Sequence, residues 1–140
     1  MNEKIALDTN ILIYWHSNDE PDKQKVAIDL LESHSYPVVS TQVLSEYINV
    51  VRRKLQLPKE EIMDICLRNI GICTLQPVRF STLNYARNLL DHYDFQLFDS
   101  IIVASAIEAG CTILYSEDIH HGLLVENRMK IINPFVKAIR

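Results

Sequence analysis

The 140-residue chain holds only three glycines, Gly71, Gly110 and Gly122, and none lies in a glycine-rich loop. That excludes a P-loop or a G-x-G-x-x-G dinucleotide site, both of which need glycine where phosphate approaches the main chain. Cysteine is equally sparse. Cys66, Cys73 and Cys111 are odd in number and form no C-x-x-C pair, so neither a disulfide framework nor a zinc site is indicated. They read as core thiols in a reducing cytoplasm. No apolar run approaches the ~20 residues of a membrane-spanning helix. Met1-Asn2-Glu3-Lys4 lacks the basic start and apolar stretch of a signal peptide, so a cytoplasmic protein with no membrane partner is expected. An excess of positive charge is missing too: 14 basic against 18 acidic residues leave a net charge of −4. Taken alone, that argues against a nucleic-acid partner. Four acids gathered around metal would account for all of it, however, so net charge does not decide the matter.

What remains is ordinary globular material, 48% apolar and 23% charged, read as one domain over residues 1–140 with a core of its own. No repeat, linker or low-complexity stretch interrupts it. Lys4 to Leu7 reads as a buried strand, and Pro21 opens a helix to about Ser33. Pro37 to Ser40 is a second strand. Val43, Leu44, Tyr47, Ile48 and Val51 then recur at helical spacing, with Ser40 or Thr41 as N-cap. Pro58 opens a helix carrying Ile62, Met63, Cys66 and Ile70. Ile72 to Leu75 is strand-like, and Ser81 caps a helix with Leu83, Ala86, Leu90 and Tyr93 on one face. Phe98 to Ile107 is apolar nearly all round and closed by Gly110, which predicts a buried helix. Cys111 to Ser116 and Met129 to Ile132 supply the last strands. Strands alternating with helices indicate a parallel sheet of four to five strands between two helical layers, an α/β/α sandwich.

Four acids stand out by position. Asp8 ends the first strand, and Asp118 lies just past the strand Cys111 to Ser116. In open parallel sheets, ligands gather outside the carboxyl ends of the strands, so both acids belong to one edge. Asp99 opens the buried helix, with Ile102, Val103 and Ala106 following on its face. Glu46 sits at the border of an apolar stripe. Each has an ordinary alternative: Asp8 and Asp118 as turn residues, Asp99 as an acid favoured by the helix dipole, Glu46 as a solvated border residue. Together they make a hard oxygen-ligand set with no His or Cys, suited to Mg²⁺ or Mn²⁺.

Four stretches carry a resemblance that spans essentially the whole chain: Leu7-Asp8-Thr9-Asn10-Ile11-Leu12, Ser45-Glu46, Phe98-Asp99-Ser100 through Ala106, and Leu114-Tyr115-Ser116-Glu117-Asp118. In order, spacing and flanking elements the chain resembles the PIN-domain nucleases and, among them, the small VapC-type toxins of bacteria. The resemblance implies that Asp8, Glu46, Asp99 and Asp118 form an acidic centre for one or two Mg²⁺ or Mn²⁺ ions. It gives Asn10 and Ser116 supporting roles, hydrogen-bonding the acids or a bound water. It also implies an endoribonuclease toxin that inhibits translation, a cognate antitoxin lying across the active-site groove, and a homodimer. Glu117 ranks below Asp118 because side chains alternate at a strand end, and His120 and His121 are left as loop residues.

RNA needs cations to meet its backbone. Asn49 and Arg53 fall three and seven residues after Glu46, on its helix face. Arg53 is thus the best phosphate contact, with Arg52 and Lys54 beside it; the alternative is a solvated basic turn that complements the helix dipole. Two other classes stay open. An aspartyl phosphotransferase would use Asp8 as nucleophile, but its usual second acid two residues on is here Asn10. A non-catalytic binding module of the same fold would leave the four acids without a joint role.

Overall fold

A computed structural model describes residues 3–136. Six strands and six helices follow one another as β1 (Ile5–Leu7), α1 (Thr9–His16), α2 (Pro21–Ser33), β2 (Val38–Ser40), α3 (Thr41–Leu55) and α4 (Lys59–Ile70), then β3 (Thr74–Gln76), α5 (Phe80–His92), α6 (Leu97–Glu108), β4 (Ile113–Tyr115), β5 (Leu124–Val125) and β6 (Met129–Ile132). The sheet order is β3-β2-β1-β4-β6-β5. All neighbours are parallel except β5, which runs antiparallel to β6. Every residue of β1 and β2 is buried. A strand with no exposed face must be covered on both sides, which produces the three-layer α/β/α arrangement. Ile5, Leu7, Val39 and Leu114 of the sheet share this core with Ile11, Val43 and Tyr47, and with Leu89, Val103 and Ala106.

The order of the strands places the site. From β1 the chain winds outward to β2 and β3, then returns to lay β4 on the other side of β1. The winding direction therefore reverses between β1 and β4, and such a reversal leaves a crevice at the carboxyl edge. Ile5, Ala6 and Leu7 pair with Ile113, Leu114 and Tyr115, so Asp8 and Ser116 emerge side by side. The Asp8 N–H donates to the Tyr115 carbonyl at 2.9 Å, closing the register at that edge.

Most elements agree with their sequence signals. Pro21 starts α2, the Ser40 hydroxyl caps α3 by accepting from the Val43 N–H at 3.1 Å, and Gly110 follows α6 at φ +81°. Three differ. α1 is a helix the sequence reading does not contain: Ile11 to Trp15 is apolar on every side, so no amphipathic period marks it. The sheet has six strands rather than four to five, because the two-residue β5 folds back on β6. α5 begins at Phe80 behind Arg79, and Ser81 lies inside its first turn. Thr82, not Ser81, accepts from the Arg79 N–H at 3.0 Å. Among the described residues, no helix is long and apolar enough to cross a membrane.

Candidate active site

Asp8 caps α1 from the end of β1, and this local choice fixes its carboxylate. One oxygen accepts the Thr9 N–H at 2.7 Å, and the other accepts the Ser116 hydroxyl at 2.7 Å. Ser116 in turn accepts from the N–H groups of Asp118 (3.3 Å) and Ile119 (3.1 Å), so one buried hydroxyl ties the ends of β1 and β4 together. Asn10, in the first turn of α1, donates from Nδ2 to Asp118 at 2.6 Å. Glu46 rises from the second turn of α3 and accepts from the Thr9 hydroxyl at 2.9 Å and from Gln42 at 3.0 Å. Asp99 comes from the first turn of α6.

All four acids line one cavity of about 260 Å³, together with Thr9, Asn10, Asn49 and Arg53. The cleft continues past Asp99 and Asp118 into a second polar hollow lined by Asp94, Gln96 and His120. Ser116 is buried beneath the acids, in contact with Asp8. Arg52 is not part of the cleft. A helix turns about 100° per residue, so Arg52 faces away from its neighbour; it is exposed and donates to the Asn49 side-chain oxygen at 2.6 Å. Lys54 instead pairs with Asp19 at 3.8 Å. The sequence reading missed Thr9 and Gln42. Thr9 stood inside the quoted Asp8-Thr9-Asn10 run, but a lone hydroxyl there carries no signal of its own.

The electrostatics follow from burial and crowding. Asp8 is 5% exposed. Desolvation pushes its pKa up to about 6; the bonds from Ser116 and Thr9 oppose that push, while the nearby charges of Glu46 and Asp99 add to it. The Asp99 carboxyl is also raised, first by burial and then by Glu46 and Asp118. Among the described residues, no Lys or Arg forms a salt bridge with any of the four acids. As they stand, no three His, Cys, Asp or Glu side chains of the described residues converge closely enough to grip an ion. Three of the four, Asp8, Glu46 and Asp118, instead accept hydrogen bonds from protein donors. The donor set nevertheless fits a hard divalent cation: four carboxylates in one cleft, of which Asp8 and Asp99 have raised proton affinity, with none of the four tied up in a salt bridge among the described residues.

A sequence model of the PIN domain matches residues 5–122. The chain belongs to the PIN domain family. Solved structures agree with that fold. A toxin-antitoxin complex from Klebsiella pneumoniae superposes on this PIN domain with a TM-score of 0.70 at 19% identity, covering 94% of this chain and 97% of that one. FitAcB from Neisseria gonorrhoeae gives 0.66 at 17% identity, with 94% and 98% covered. The sarcin-ricin loop cleaving VapC toxin of Mycobacterium tuberculosis gives 0.66 at 15% identity, with 82% and 90% covered. A search of curated protein sequences gives no match. The matched span of the PIN domain contains Asp8, Glu46, Asp99 and Asp118.

Proposed function

We propose that this PIN domain is a metal-dependent endoribonuclease that hydrolyses RNA phosphodiester bonds and serves as the toxin of a cytoplasmic toxin–antitoxin pair, inhibiting translation. One observation carries the reading: four carboxylates from four separate segments meet in a single cleft at the sheet's switch point. An all-oxygen donor set selects Mg²⁺ or Mn²⁺ over zinc. A divalent ion held there would lower the pKa of water and offset charge on the phosphodiester oxygens. The protein's part is placement. Asp8 is anchored at both oxygens and keeps a fixed direction, Asn10 steers Asp118, and Thr9 with Gln42 steers Glu46. Arg53 at the rim supplies positive charge for the RNA backbone.

The similar folds include a toxin that cleaves the sarcin-ricin loop and toxins in complex with antitoxins, which supports RNA as substrate and an antitoxin as partner. Beside the acidic cleft, and sharing Ile13 and Val50 with it, lies an apolar cavity of about 350 Å³ walled by Tyr47, Val51, Leu55 and Ile65. An apolar antitoxin segment seated there would cover the acids. For the homodimer, Phe80, 78% exposed, and Leu83 one turn along α5 offer apolar surface that a second copy would bury.

The purified protein is expected to cut RNA in Mg²⁺ or Mn²⁺, leaving 5′-phosphate ends, and to stop in EDTA. Folded protein that cuts no RNA in either metal would overturn the reading. Arg53→Ala is expected to weaken RNA binding and lower the slope of log K against log salt by up to ~0.7 for a single-stranded contact. An unchanged slope in a binding titration returns Arg53 to a solvated surface role.

A further inference from the structure

Beside the acidic cleft, a second cluster holds the residue next to Asp118. The Glu117 carboxylate accepts the Tyr14 hydroxyl at 2.7 Å and the Lys23 ammonium at 2.5 Å. Lys23 lies 4.9 Å from the centre of the Tyr14 ring and 5.6 Å from that of Phe135, and these two rings meet edge to face at 5.1 Å. Asn133 donates to the Glu117 main-chain carbonyl at 3.4 Å. Side chain and backbone of Glu117 are thus held from α1, α2 and the segment after β6. The pair is largely enclosed, with side chains 31% and 20% exposed.

The arrangement is coupled to the site through α1. Asn10 and Tyr14 are four residues apart, so they share one face of that helix. Asn10 grips Asp118 and Tyr14 grips Glu117. One helix face therefore fixes two consecutive carboxylates and, with them, the turn from which Asp118 issues. We propose that Glu117 is a positioning residue: clamped by Lys23 and Tyr14, it holds the turn that aims Asp118 into the cleft and thereby sets the cleft's affinity for a divalent cation. The proposal rests on the metal-binding reading of the four acids. Its own content is that Lys23, a cation, strengthens cation binding.

That sign separates positioning from electrostatics. Removing a nearby positive charge by Lys23→Met should tighten Mn²⁺ binding if charge alone mattered. Methionine keeps an apolar stem over the Tyr14 and Phe135 rings, so the main loss is the clamp. Partners that orient a metal ligand from behind are commonly worth 10–100-fold in affinity. The expected result, by calorimetric titration of Mn²⁺ without RNA, is binding weakened about 10-fold in Lys23→Met. Lys23→Arg should restore it, and Lys23→Met should add nothing to Asp118→Asn, since the effect passes through Asp118. Tyr14→Phe, which changes no charge, should weaken binding in the same direction, and it carries the test if Lys23→Met fails to fold. Unchanged or tighter binding in folded Lys23→Met, or in Tyr14→Phe, overturns the positioning role. Wild-type protein that binds no Mn²⁺ overturns the metal-binding reading beneath it instead.

Discussion

Asp99→Asn is expected to lower the rate of the proposed Mn²⁺-dependent RNA cleavage on the order of 10²-fold or more while the protein stays folded. The expectation comes from what surrounds this carboxylate. Its proton affinity is raised by burial and by Glu46 and Asp118, with no hydrogen bond contributing, so an amide can replace it without stranding a partner. The change removes a negative ligand and little else. Asp8→Asn should also abolish cleavage, but it is the less clean substitution. Both Asp8 oxygens accept hydrogen bonds, from Thr9 and from Ser116. An amide would turn an NH₂ group toward one of those donors, and Ser116 already accepts from two N–H groups. Initial rates at saturating Mn²⁺, with circular dichroism to confirm folding, are the measurement. An Asp99→Asn protein with wild-type rate would remove this acid from the centre.

The second large effect is on stability without metal. A carboxyl whose folded pKa lies above its unfolded value contributes stability that is fully present below the unfolded pKa and is lost as pH rises through the folded one. For Asp8 the two values are 3.8 and about 6, so the loss falls mainly between pH 4 and 7. Between pH 5 and 7.5 it amounts to about 1.4 kcal/mol, or a fall of about 3–6 °C in Tm. His16 works against it in part of that window. Burial holds its imidazole pKa below the usual value, so its contribution grows as pH rises toward the unfolded histidine value. The difference between wild type and Asp8→Asn cancels that term. The expected result is that the variant gains on wild type by about 3–6 °C from pH 5 to pH 7.5 in EDTA. Mn²⁺ at ten times Kd should return roughly 1.4 kcal/mol to wild type alone. Parallel melting curves for the two proteins at all pH values would mean that Asp8 does not titrate as its surroundings require.

The residues that were legible in the sequence are those whose chemistry is costly anywhere else. An acid directly after a buried strand, or opening a helix that is apolar all round, needs a reason; Asp8, Asp118 and Asp99 each announced one, and the fold brings them with Glu46 into one cleft. The strands and the longer amphipathic helices were readable because one face of each must be apolar. α1 was not, because Ile11, Leu12, Ile13, Tyr14 and Trp15 leave no polar face to give it a period. β5 is two residues long and exists only through its pairing with β6. Strand alternation ranks Glu117 below Asp118, and in the fold its side chain meets Lys23 and Tyr14. That clamp had no sequence signal, since Tyr14, Lys23 and Glu117 meet only through tertiary packing. Helix geometry puts Arg53 on the face of Glu46, whereas Arg52 adjoins it only in sequence, and a turn of about 100° separates their directions.

The pairing of β1 with β4 also has a consequence in time. The bonds from Ser116 to Asp8 and from Asn10 to Asp118 each join residues 108 positions apart. Contacts so distant along the chain carry a large loop-closure cost and form late in folding. A chain growing from its N-terminal side carries Asp8 beside an unfilled sheet edge until residues 113–115 have been made. The acids therefore cannot meet until residues up to Asp118 have been made. The cleft comes into being with the folded domain, and a half-folded chain holds no assembled cluster of acids.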